Sequence, residues 1–295
     1  MIKLSELQAL FPTEDACREF LQHQRWPHGV GCPRCGNMKV YVLKHRPFHW
    51  QCHQCAKKGY RFSVITATVF ENTKYPLRTW FTVAFLMLHS KKGMSALQIK
   101  RMVFHDKASY ETVWYMCQRI RAAMNTDEFR QLAGIVEVDE TFLGGKERFK
   151  HKSKRNPEHR GGTGKVGVIG AISRKGNVVA QVIERTDGKT LSRFVRRAVS
   201  PKVSLLATDS DSAYNQMPRE IDEKHQTVDH HREEYVRGVV HTQNIESFWS
   251  LLKRGVVGTY HQVSKKYLPF YLAEFTFRHN ERDNPDLFAA VLAAC

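Results

Sequence analysis

Two close cysteine pairs restrict the fold of the first quarter of this chain more than any other feature. Cys32-Pro-Arg-Cys35-Gly and Cys52-His-Gln-Cys55 give C-x2-C, sixteen residues, then C-x2-C. A tight turn lets both sulfurs of such a pair converge on one ion, and a hairpin that returns the second pair completes a tetrahedral thiolate shell. Gly36 suits the sharp turn after the second ligand. Val40-Tyr-Val-Leu and Phe48-His-Trp-Gln are the expected strands of that hairpin. Chance pairing or a redox dithiol is the competing explanation, and the spacing favours Zn2+. Four thiolates fill a tetrahedral shell, so Cys32, Cys35, Cys52 and Cys55 make a structural site, with His45, His49 and His53 as polar surface. Seven cysteines, four of them in these pairs, fit metal binding in a reducing compartment better than disulfides.

The rest of the composition bounds the class. A chain of 295 residues, 42% of them apolar, can build two or three domains with real cores. Its net charge of +17 and pI near 9.7 call for a polyanionic partner, nucleic acid before a membrane surface. Met1 to Pro12 carries Lys3 and Glu6 without an unbroken apolar run, unlike a signal peptide. The longest apolar candidate, Trp80 to Leu88, is too short to span a bilayer. No membrane association and a cytoplasmic location are therefore expected.

Along the chain, residues 1–27 read as one or two short helices, with Ser5 and Thr13 as starts, and residues 28–70 as the metal-centred ribbon. Residues 71–130 turn helical, with Trp80, Val83, Ala84, Met87 and Leu88 on one face. Within them, Met94 to Met102, a break, and Ser109 to Arg121 read as helix, turn, helix. Ser109 is a suitable N-cap, and Val113, Met116, Cys117 and Ile120 form a buried stripe. Tyr110, Thr112, Tyr115 and Arg119 are left to face a DNA groove. After Gly134 the period becomes that of strands: Ile135 to Asp139, Val166 to Ile172 and Val178 to Ile183, the last two joined by a Gly176-Asn177 turn. A helix from Thr190 to Val199, a strand from Val203 to Ala207, and helices from Asn244 to Lys253 and Leu268 to Glu281 follow. This order predicts an α/β domain over 131–285, a mixed sheet with flanking helices, and a tail over 286–295.

Three carboxylates stand where such a domain gathers chemistry. Asp139 and Asp209 are read at strand ends, where α/β sites form. Glu246 lies in the first turns of a helix, with Lys253 seven residues on and thus on the same side. Oxygen ligands from separate elements suit a pair of hard cations flanking a phosphodiester, and Lys253 and Arg254 can reach DNA phosphate. Acids at strand ends are also common caps, and 29 acidic residues supply such triplets by chance. Glu137 and Asp211 are alternative ligands, whereas Glu140 points oppositely and is read as solvated. Gly144 to Lys165 holds eight Lys or Arg against two Glu, a solvated loop that DNA would order, with Lys146 and Lys165 as contacts.

Three longer blocks add a resemblance. Val136-Glu-Val-Asp-Glu-Thr-Phe-Leu-Gly-Gly-Lys, Ala207-Thr-Asp-Ser-Asp-Ser-Ala-Tyr and His241-Thr-Gln-Asn-Ile-Glu-Ser-Phe-Trp-Ser-Leu-Leu-Lys-Arg-Gly resemble the catalytic blocks of zinc-ribbon-bearing bacterial insertion-sequence transposases. These form a branch of the DDE superfamily related to the Merlin elements. The stretch from Gly59 to Trp80 resembles that branch's bridge between ribbon and helices, apart from Ala67, where a Gly is expected. The resemblance implies a ribonuclease H-like fold, with strand cleavage and transfer at element ends that depends on Mg2+ or Mn2+. It implies double-stranded DNA as partner and a homo-oligomer on that DNA. Asp139 and Asp209 match its first two acids. Glu246 is taken as the third, with Asn244 and His241 as alternates because members of the branch vary there. A DNA-binding regulator that has lost catalysis, and a nuclease or resolvase on the same fold, are the competing functions.

Overall fold

Apolar periodicity changes near residue 134, and the architecture changes with it. The computed structural model describes residues 3–105, 107–125, 131–145, 151–155, 164–210, 212–229, 232 and 236–295. They fall into two units, Met1–Asn125 with Glu281–Cys295, and Thr126–Asn280.

The first unit opens with helices α1 (Leu4–Leu10) and α2 (Glu14–Arg25). Lys3 is the N-cap of α1, so Ser5 lies inside the helix, whereas the Thr13 hydroxyl caps α2 through Ala16 N at 3.2 Å. Strands β1 (Tyr41–Val42), β2 (His49–Cys52) and β3 (Tyr60–Ser63) form an antiparallel ribbon in sequence order. The third strand lies in what the sequence presents as a bridge. Trp26, Trp50 and Phe62 give the ribbon a small aromatic core. Helices α3 (Leu77–His89), α4 (Ala96–Phe104) and α5 (Tyr110–Ala123) follow. The Ser109 hydroxyl accepts from Thr112 N at 3.1 Å, and Val113, Met116, Cys117 and Ile120 are buried as their spacing predicts.

The second unit carries β4 (Ile135–Leu143), β5 (Val166–Ser173), β6 (Val178–Ile183), α6 (Gly188–Ala198), β7 (Leu205–Asp209), α7 (Arg219–Asp222), β8 (His225–Val228), α8 (Gln243–Gly255) and α9 (Leu268–Asn280). The sheet runs β6-β5-β4-β7-β8. The first three strands pair antiparallel and the last two join in parallel. This is the expected mixed, ribonuclease H-like sheet with helices on it.

Alternation along the strands sorts side chains between two faces. Val136, Val138, Ile169, Ala171 and Leu206 pack with Leu191, Phe194, Val195 and Ala198 of α6. Leu143, Val168 and Ile172 pack with Ile245, Phe248, Trp249 and Leu252 of α8. Phe248 and Trp249 are thus core residues. The final helix, α10 (Leu287–Ala294), replaces the expected tail. It buries Leu287, Phe288, Val291 and Leu292, with Phe288 against Phe11 and Phe81 in the first unit.

Candidate active site

Asp139 stands inside β4, not at its end, because the strand runs on to Leu143 beside β5. The parallel ladder between β4 and β7 nevertheless stops at Glu137↔Ala207. Two residues further along each strand lie Asp139 and Asp209, the next positions on the same face, where the two strands part. Asp139 pairs with Gly170, and a Cβ built on Gly170 would meet Trp249 Cη2 at 2.6 Å and Ile245 Cδ1 at 3.2 Å. Both acids therefore occupy the face that α8 covers. Glu246 is on the first turns of α8, with its Oε1 accepting from the Thr242 hydroxyl at 2.6 Å.

Asp139 responds to the acids around it. Burial, then the charges of Glu140 and Asp209 and, less strongly, Glu246 push the Asp139 carboxyl up to about 7. Such a concentration of negative charge is what a hard, oxygen-ligated cation relieves. Among the described residues, donor atoms closer than 4.8 Å in groups of three or more occur only at the cysteines. Asp139, Asp209 and Glu246 offer carboxylate oxygens, the ligand type that hard divalent cations take.

Glu137 has a different duty from the ligand role open to it in the sequence. It is fully buried on β4. One oxygen accepts from Asn244 N at 2.8 Å and Ile245 N at 3.2 Å. The other accepts from Asn244 Nδ2 at 2.7 Å and Arg174 Nε at 2.9 Å, with His241 Nδ1 3.3 Å away. This carboxylate satisfies the orphan amides of the α8 N-terminus and complements its positive dipole end. Asn244 and His241, the alternates for the third ligand, both address Glu137. Arg174 and Thr242 are functional neighbours that sequence reasoning missed, since neither lies at a telling spacing from its partner.

The opposite face holds a second bridge. The buried Tyr214 hydroxyl donates to Glu140, which is thereby half-buried and bonded and not solvated. Tyr214 follows β7 and Glu140 belongs to β4, so the bond ties the two strands together beyond the point where their ladder ends.

In the ribbon, Cys32 Sγ and Cys55 Sγ are 3.8 Å apart, and Cys35 Sγ and Cys52 Sγ 3.7 Å. A tetrahedron with Zn–S bonds of about 2.3 Å has edges of about 3.8 Å, so the four sulfurs fit a structural Zn2+. The backbone N–H of Cys55 is the largest influence on Cys52 and helps bring its thiol down to about 6. Residues 12–58 match the transposase zinc-ribbon domain, and residues 131–280 the ISXO2-like transposase domain.

This chain belongs to the ISXO2-like transposase family. It is also 28% identical over 285 residues, 91% of each chain, to the uncharacterized protein in transposable element ISH50 of Halobacterium salinarum. A DNA-acting protein of the transposase class follows. Among the described residues, no helix is long and apolar enough to cross a membrane.

The expected DNA contacts of this transposase divide. Tyr110 and Tyr115 stand 46% and 58% exposed on α5. Arg119 is half-buried: its guanidinium donates to Glu71 O at 3.1 Å and Thr68 O at 3.4 Å and stacks near Trp80. An arginine one turn from an exposed tyrosine reads as solvent-facing, but the carbonyls of the preceding bridge claim it. Lys253 and Arg254 are exposed on α8, and Lys165 precedes β5. Lys146 and Asp211 lie outside the described residues.

Proposed function

We propose that this transposase binds the ends of its insertion sequence and cuts and joins DNA strands by in-line phosphoryl transfer at Asp139, Asp209 and Glu246. The observation that supports the reading is that Asp139 and Asp209 share the face that α8 covers, where the β4–β7 ladder ends, and that the charge of Glu246 on α8 reaches Asp139. These carboxylates would hold Mg2+ or Mn2+. When bound, the metal pair supplies charge to activate the attacking oxygen and stabilise the leaving one. The chain's own residues do the rest. Glu137 fixes the start of α8, the helix that carries Glu246. The bond from Tyr214 to Glu140 braces the strands behind the acids. Lys253, on the same side of α8 as Glu246, is available to a DNA phosphate.

The test uses duplexes carrying element ends. Asp139→Asn and Asp209→Asn should each abolish cleavage and leave end binding intact, because the ribbon and helices hold DNA by other residues. Either variant cutting near the wild-type rate removes that residue from the site. Product analysis separates strand transfer from simple hydrolysis, and joined products exclude a nuclease or resolvase.

A further inference from the structure

The acids lie on the α8 face of the sheet, and the opposite face is covered by α6. That helix is sharply two-sided. Leu191, Phe194, Val195 and Ala198 turn inward. Outward, Lys189, Arg193 and Arg196 fall at i, i+4 and i+7, within about 60° of arc and roughly 10 Å of helix axis. All three are exposed. No ion pair among the described residues joins any of them to a carboxylate. A solvated helix face ordinarily interleaves acids with its cations. Here no Asp or Glu occurs from Gly188 to Thr208. The nearest acid in sequence, the N-cap Asp187, accepts from Thr190 N at 2.8 Å and feels the charge of Lys189 without pairing with it.

The cationic surface continues toward the sheet end. A groove beside the residues leading into α6 is lined by Phe142, Lys165, Ile183, Glu184, Arg185 and Thr186. Phe142 is 37% exposed. Glu184, its one acid, is 3.8 Å from Lys265. The row and groove offer cations and an aromatic edge, with little to repel a polyanion.

We infer that the outward face of α6 is a second contact for the backbone of duplex DNA, separate from the face that bears the acids. Phosphates of one strand recur about every 3.4 Å of DNA axis, so a row of roughly 10 Å spans about three. DNA lying along α6 is on the far side of the sheet from Asp139 and Asp209. It is therefore a different segment from the strand those acids address, either further along the same duplex or on a second one. The inference rests on the DNA-acting reading but not on the identity of the metal ligands.

The experiment is a salt titration of binding to a duplex of arbitrary sequence, in magnesium-free buffer without chelator so that zinc is retained. The full chain is compared with the triple variant Lys189→Gln/Arg193→Gln/Arg196→Gln. Each lost phosphate contact removes about 0.9 from the slope of log K against log salt, so the triple variant should bind with a slope shallower by about 2–3. The charge-preserving variant Lys189→Arg/Arg193→Lys/Arg196→Lys should keep the wild-type slope, which separates charge from damage to the helix. An unchanged slope in the triple variant overturns the α6 assignment and leaves the acids' role untouched. Asp139→Asn cutting at the wild-type rate does the reverse. An unchanged slope with altered self-association assigns the row to a protein contact and also overturns the proposal.

Discussion

Glu137 and Glu246 show how acids from the first and third sequence blocks part ways. Glu137 accepts from two backbone amides, an asparagine and an arginine while fully buried. Removing one partner from such a buried set costs about 3–5 kcal/mol, because the remaining groups stay desolvated. Glu137→Ala should therefore lower the unfolding midpoint of the second unit and weaken cleavage by displacing α8. A melt unchanged from wild type would refute that anchoring role. Asn244→Ala removes one donor of several and should cost less. The third ligand is tested by a magnesium titration of cleavage. Glu246→Gln should lose activity by orders of magnitude, with smaller losses for Asn244→Ala and His241→Ala, because magnesium favours carboxylate oxygens. A dead Asn244→Ala beside an active Glu246→Gln would give the position to Asn244. The sequence offered Glu137 as a possible ligand because it shares a strand face with Asp139. Its partners lie 37 and 107 residues away, and no spacing rule reaches that far.

At the scale of elements, the fit between β5 and α8 rests on a missing side chain. A Cβ on Gly170 would stand 2.6 and 2.7 Å from two ring carbons of Trp249. Gly170→Ala should overpack this contact at a cost of about 1–3 kcal/mol and push α8, with Glu246, away from Asp139. Trp249→Phe withdraws the outer ring, so the double variant should be less destabilised than the sum of the two singles. A cycle of four melts reads the coupling directly, and strict additivity would show that the close contact is relieved elsewhere. Long periodic elements were legible: β4, β5, β6, α6, α8 and α9 follow their patterns within a few residues. Short ones were not. β8 has four residues, His225-Gln-Thr-Val, and alternates too briefly to announce itself. α10, Leu-Phe-Ala-Ala-Val-Leu-Ala-Ala, is apolar nearly all round, so it has no polar face to betray its period and passed for a tail. The early end of the β4–β7 ladder, on which the site depends, is a property of pairing and leaves no mark in either strand alone.

For the whole molecule, the division into units places the second inside the chain path of the first, since residues 281–295 group with residues 1–125. The two should answer separately to damage. Cys32→Ser or Cys52→Ser removes a thiolate from a closed shell and should release zinc and unfold roughly the first 70 residues, because metal binding in small modules is largely folding energy. Unchanged zinc by elemental analysis would remove the site. The second lesion is the sharper one, because it lies far along the sequence. Phe288 of α10 packs against Phe11 and Phe81 with ring centroids at 5.9 and 5.7 Å, and Val69 N donates to Cys295 O at 2.8 Å. Truncating a buried phenylalanine costs about 3–5 kcal/mol. Phe288→Ala should therefore weaken the unit that begins at the other end of the chain, while the sheet-bearing unit, which ends at Asn280 seven residues before Leu287, keeps its own core. Hydrogen exchange reads both at once: α3 and α5 should lose protection while β4 and β5 hold theirs. Equal loss across all four would mean that the two units unfold as one, and the division would fall.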